Sequence, residues 1–256
     1  MKRKEVILIF FLLTLFLFTP SGSRDVAGEA QPAKGEELDY VAIGDSVTWG
    51  FVDYFKDFLE EDLGVTVKVH NWTKGGDHSS RLLERLRTNE EFRNSIRKAE
   101  VITFEIPWGV VSTPCQTYMG ILPGSRGGED NQDCLREAFG TYKYNTEEIV
   151  AEIVSLRSPS DAIIRTMTTY QFQVARTKEN GTFEVINKHW RDANAHVVDV
   201  ALGYEIPVAH VYDVFMGESG TEDPREKGLL YDPMHTTDKG AYIIAKIFRD
   251  LGYEYS

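Results

Sequence analysis

A hydroxyl, an imidazole and a carboxylate are the three groups that acyl transfer through a serine requires. This chain offers one of each at two short, well-separated stretches. Residues 40–50 read YVAIGDSVTWG, an apolar run that stops at Gly44, Asp45 and Ser46. Residues 231–240 read YDPMHTTDKG, with Asp232 three positions before His235. In such chemistry the serine attacks, the imidazole accepts its proton, and the acid fixes the imidazole tautomer. A separation of three lets a single short turn hold carboxylate and ring together. Random ordering of this composition would produce Gly-Asp-Ser about 0.07 times and Asp-x-x-His about 0.4 times. Neither motif carries the case alone, and the second is the weaker; their order and placement together carry it. Ser46 also suits a plain helix N-cap, and Asp45 reads as a structural acid that bonds loop amides.

What must position these residues is an alternation of strands and helices. Apolar runs or period-two patterns mark strands at residues 40–43, 65–72, 101–106, 161–170 and 208–215. Helical spacing fills residues 51–64, with Gly64 as C-cap, a stretch after Ser79 or Ser80 as N-cap, residues 134–158, residues 183–205, and a last helix from Thr237. Five strands alternating with helices predict a parallel sheet between two helical layers, a three-layer α/β/α sandwich. Sites in open sheets of this kind form at the carboxyl ends of the strands. Ser46, Gly76, Trp108, Gly109, Asp232 and His235 all follow predicted strands.

The 256 residues suffice for one core. A basic start (Lys2, Arg3, Lys4), a thirteen-residue apolar run over 6–18 and a small polar exit over 19–23 have the order of a secretory signal peptide. The run is short of the roughly 17–25 residues of a spanning helix. The expected organisation is a leader over 1–23, with cleavage between 23 and 30, a linker over 24–37 and one domain over 38–256. An uncleaved N-terminal anchor is the other reading. The expected location is extracellular, with no stable membrane insertion after cleavage. The net charge is −12, and removing the +2 leader leaves −14. An acidic chain without a basic stripe is a poor partner for nucleic acid. Cys115 and Cys134 are the only cysteines, and in an exported chain they read as a disulfide closing a loop of about 20 residues, worth roughly 3 kcal/mol. No ligand spacing for a metal surrounds them. Asn71 and Asn180 lie in glycosylation-type triplets.

The chain resembles the SGNH (GDSL-type) esterase and lipase family over about residues 39–252. VAIGDSVTWG is similar to the first family block, which implies Ser46 as nucleophile. NWTKGGDHSSRLLERL is similar to the second, which implies the Gly76 N–H in the oxyanion hole beside that of Ser46. DPMHTTDKGAYIIA is similar to the last, with Asp232 orienting the base His235. The resemblance implies the flavodoxin-like SGNH fold, a small-molecule or glycan ester as substrate, an acyl-enzyme, and neither metal nor organic cofactor. AEVITFEIPWG departs from the third block. The family has an asparagine there whose amide completes the oxyanion hole, whereas Gly109, or Trp108, holds that place here. A Gly109 N–H or the Asn131 side chain could stand in.

Trp49, His78 and Trp108 fall beside the predicted site and are expected to line it, and the cysteine loop is expected to roof it. Glu105 interrupts an apolar strand without an evident partner. A Gly-x-Ser-x-Gly pentapeptide, the mark of the α/β-hydrolase fold, is absent. The leading expectation is hydrolysis of O-acetyl carbohydrate or short-chain esters. Lipase or lysophospholipase action, acyl transfer, and non-catalytic binding of a glycan or lipid on a degenerate scaffold are the alternatives.

Overall fold

A computed structural model describes residues 36–108, 130 and 132–255. Five strands, β1 (Glu37–Ile43), β2 (Thr66–Asn71), β3 (Val101–Phe104), β4 (Ile163–Met167) and β5 (Val208–Ala209), form one sheet in the order β2-β1-β3-β4-β5. Every pairing is parallel. Helices α1 (Trp49–Leu63), α2 (Ser79–Thr88), α3 (Glu90–Lys98), α4 (Asp133–Leu156), α5 (Val174–Glu179), α6 (Phe183–Gly203), α7 (Val211–Met216) and α8 (Asp238–Asp250) flank it. This is the expected α/β/α sandwich. The chain moves one way from β1 to β2 and the other way from β1 to β3. The carboxyl end of β1 is therefore the switch point of the sheet, the place where such sheets bind ligands. Ser46 stands there.

The packing follows from the sequence pattern. β3 is buried along its whole length, as a strand covered on both faces must be. Phe51 and Phe55 of α1 meet Phe248 of α8 at ring distances of 5.0 and 5.5 Å, which ties the front of the domain to its last helix. Gly64 ends α1 with φ +68° and donates to the Glu60 carbonyl, as a C-cap glycine should. The carboxyl end of the chain is pinned by Arg165 of β4, whose buried guanidinium donates to the carbonyls of Gly252 and Glu254.

Some boundaries differ from the sequence reading. The last predicted strand is only Val208–Ala209. Beyond it Val211, Tyr212, Phe215 and Met216 bury one helical face, because the same short apolar run satisfies both periods. The helix expected to run on from residue 79 breaks at Asn89, whose side chain accepts from the Phe92 N–H (3.1 Å) and starts α3. Its N-cap is His78 rather than Ser79 or Ser80. Among the described residues no helix is long and apolar enough to cross a membrane. The leader, most of the linker and most of the cysteine loop, including Cys115, Gly109 and Asn131, lie outside the described residues.

Candidate active site

The Ser46 turn is built by its neighbours. β1 ends at Ile43, and Gly44 takes φ +151°. A β-carbon on Gly44 would stand 2.7 Å from Thr48 Cγ2 and 3.0 Å from Glu105 Oε2, so only glycine fits. Asp45 Oδ1 accepts the Val47 N–H (2.8 Å), and the Thr48 hydroxyl donates to the Asp45 carbonyl (2.7 Å). α1 begins only at Trp49, with Thr48 at its N-cap position. Ser46 is therefore not the cap. It projects half-buried from the turn just before the helix.

His235 reaches this serine from the far end of the chain. Its Nε2 lies 3.1 Å from Ser46 Oγ, and its Nδ1 lies 2.6 Å from Asp232 Oδ2. The other Asp232 oxygen accepts the main-chain N–H groups of Met234 (2.8 Å) and His235 (2.7 Å). An antiparallel bridge between Leu230 and Thr236 closes this short loop ahead of α8. Burial pushes the Asp232 carboxyl up, but the His235 ring and the two amides outweigh it and hold the group below its ordinary range. A carboxylate fixed to Nδ1 leaves Nε2 free to accept the Ser46 proton.

The remaining predicted residues divide. Gly76 lies in the turn after β2 with φ +69°, and that loop is tied to the serine turn by the Lys74 N–H donating to the Gly44 carbonyl (2.9 Å). Trp49 is 52% exposed, and its ring covers Gly75, whose added β-carbon would come within 2.7 Å of it and 3.8 Å of Ser46 Cβ. It stands beside the serine. His78 caps α2, its Nδ1 accepting the Arg81 N–H (3.3 Å). One expectation needs correction. Trp108 is 6% exposed and packs between Tyr142 and Trp190, because α4 and α6 close over the end of β3. It belongs to the core rather than to a cleft wall. Cys134 is buried and is not a free thiol.

Two further residues adjoin this site. Tyr231, 66% exposed, lays its ring nearly parallel to that of His235, 5.8 Å away and 17° off. Its adjacency to Asp232 was the available signal. Glu105 finds its partner in the serine turn, its Oε2 accepting the Asp45 N–H (3.2 Å). Burial raises the Asp45 carboxyl to about 6 against the pull of the Val47 N–H and of His235, and burial together with Asp45 raises Glu105 well above its ordinary value. Among the described residues no group of three His, Cys, Asp or Glu side chains is arranged to hold a metal.

No family model matches the chain. The spore germination lipase LipC of Bacillus licheniformis is 26% identical over 229 residues, 84% of this chain and 97% of that protein. Among solved structures, the lipase Lip_vut3 from a goat rumen metagenome superposes with a TM-score of 0.67 at 24% identity, covering 85% of this chain and 98% of that one. The acetylxylan esterase Axe2 of Geobacillus stearothermophilus gives 0.56 at 19%, over 87% and 97%. The lipase/acylhydrolase of Enterococcus faecalis gives 0.55 at 16%, over 86% and 99%. The relative and these neighbours are lipases and esterases, hydrolases of ester bonds.

Proposed function

We propose that this chain, whose fold is that of the SGNH (GDSL-type) hydrolases, is a serine esterase in which Ser46, His235 and Asp232 form the catalytic triad. The observation that carries this reading is the continuous path Ser46 Oγ–His235 Nε2 (3.1 Å) and His235 Nδ1–Asp232 Oδ2 (2.6 Å). His235 takes the Ser46 proton as Oγ bonds to the ester carbonyl carbon. The carbonyl oxygen becomes an oxyanion facing the N–H groups of Ser46 and Gly76. Collapse of the adduct breaks the bond to the alkoxy oxygen, to which His235 returns the proton. Water, deprotonated by His235, then releases the acid from the acyl-enzyme.

The substrate is a small acyl ester, with an O-acetyl carbohydrate favoured. Exposed Trp49 and Tyr231 flank the Ser46–His235 pair, and flat aromatic faces suit sugar rings. A lipid ester is the second reading, favoured by the lipase named at 26% identity. The chain is exported by its N-terminal leader, and Cys134 pairs with Cys115. A fluorophosphonate probe tests the central point. Labelling of the intact protein that disappears in Ser46→Ala supports the enzyme. An unlabelled intact protein means a non-catalytic binder. Acetylated sugars and a graded series of p-nitrophenyl esters then separate the two substrate readings, and added acceptor alcohols expose acyl transfer.

A further inference from the structure

Two acids lie under the serine turn that the proposed chemistry does not use. Glu105, just past β3, is 2% exposed, and its own N–H donates to the Ile43 carbonyl (2.9 Å). Its Oε2 accepts the Asp45 N–H (3.2 Å). Asp45 is 9% exposed, and its Oδ1 accepts the Val47 N–H (2.8 Å). The amides on either side of Ser46 are thus both held by buried carboxyl groups, one from the turn itself and one from the neighbouring strand.

The charges around this pair are mostly negative or neutral. Asp45 faces Glu105, His235 and Asp77. Glu105 faces Asp45 and Asp77, with the phenols of Tyr142 and Tyr170 nearby. Asp77 is already engaged by Arg85 (2.6 Å). Among the described residues, His235 is therefore the one group facing the pair that can become a cation. Two adjoining buried carboxyls without a fixed cation do not both ionise, because desolvation and mutual repulsion act together. The proton stays on the more enclosed member, Glu105.

We propose that Glu105 is a positioning residue: a carboxylic acid that keeps its proton and, through the Asp45 amide, locks the turn that presents Ser46 to His235. A carboxylate at this place would add a second buried charge behind the imidazole and repel Asp45. A neutral carboxyl supplies the same acceptor oxygen without that charge. Asp45 is then left as the one acid of the pair that responds to the charge formed on His235 during turnover.

This inference rests on the esterase reading for its kinetic arm and is independent of it for its spectroscopic arm. The full-length protein is compared with Glu105→Gln and Glu105→Ala. The infrared difference spectrum between wild type and Glu105→Gln at pH 7 should show the loss of one protonated carboxyl band. With p-nitrophenyl acetate, Glu105→Gln should keep kcat within about threefold of wild type with an unchanged acidic limb, because the amide reproduces a neutral acceptor. Glu105→Ala should lower kcat about 10- to 100-fold while KM stays within about twofold. A folded Glu105→Ala variant with wild-type kcat overturns the proposal, as does an infrared spectrum without the carboxyl band. Should Glu105→Ala fail to fold, the Gln variant decides: a large kcat loss there overturns the idea. A wild type that neither reacts with fluorophosphonate nor cleaves esters defeats the esterase reading instead, and the infrared band still tests the protonated Glu105.

Discussion

Asp232 holds His235 at two points: Oδ2 meets the ring Nδ1 at 2.6 Å, and Oδ1 accepts the main-chain N–H of the same residue at 2.7 Å. The acid fixes both where the histidine backbone sits and how its ring is turned. Asp232→Asn would keep the size of the side chain but offer an N–H where the ring needs an acceptor. The imidazole would then favour the tautomer that cannot take the Ser46 proton. We expect kcat for p-nitrophenyl acetate to fall about 10⁴-fold with little change in melting temperature. Because its bonds hold the Asp232 carboxyl below the ordinary carboxylate range, it stays ionised in mildly acidic solution. The variant's deficit should therefore persist across that range of a pH–rate profile.

Tyr231 touches the same imidazole from outside. Its ring is mostly exposed and stacks against His235, so its removal leaves the core intact. If it forms a wall for the alcohol half of the ester, Tyr231→Ala should raise KM for an acetylated sugar about fivefold, the equivalent of about 1 kcal/mol of lost stacking. An acetate ester of a small aliphatic alcohol should be nearly unaffected. Trp49→Ala should act in the same direction, and kinetics on the two substrates check both variants.

The residues that were legible in the sequence are those whose geometry is local. Asp232 and His235 need only a three-residue turn, and Gly44 to Ser46 need only the end of a strand. The sheet was legible because buried parallel strands and amphipathic helices differ in period. Trp108 was misread because strand-end position says nothing of what folds over it. α4 and α6 begin dozens of residues later, yet they bury its ring. The Glu105–Asp45 bond spans 60 positions and depends on the β1–β3 register, in which Ile43 pairs with Phe104. No local pattern announces it. The stretch over 208–215 was ambiguous for another reason: a run that short fits a strand and a helix equally well.

The serine turn also predicts a pH dependence of stability. Asp45 has a carboxyl raised from an ordinary 3.8 to about 6 in the folded chain. The folded state therefore binds that proton more tightly than the unfolded state does. Its contribution is fully present below pH 4, declines as pH rises through 6, and leaves the native state short by about 3 kcal/mol above pH 7. Asp45→Asn retains an acceptor for the Val47 N–H and escapes the charge. The variant should be more stable than wild type at pH 8 and lose most of that advantage at pH 4, as read by urea denaturation at the two values. Its kcat should drop about tenfold, since a negative neighbour of the imidazolium is gone.

Gly44 gives the most demanding test of how the turn is assembled. Alanine there meets two obstacles: a backbone at φ +151° that side chains rarely adopt, and a β-carbon 2.7 Å from Thr48 Cγ2 and 3.0 Å from Glu105 Oε2. Gly44→Ala should cost about 2–3 kcal/mol of stability and slow labelling of Ser46 by a fluorophosphonate. The two contributions are separable. Thr48→Ser removes Cγ2 but keeps the hydroxyl that bonds the Asp45 carbonyl, so it should be mild alone. Combined with Gly44→Ala it should restore part of both stability and labelling, a positive coupling in a double-mutant cycle. A strictly additive cycle would mean that the backbone angle alone, and not the crowding against Thr48, demands glycine two positions before Ser46.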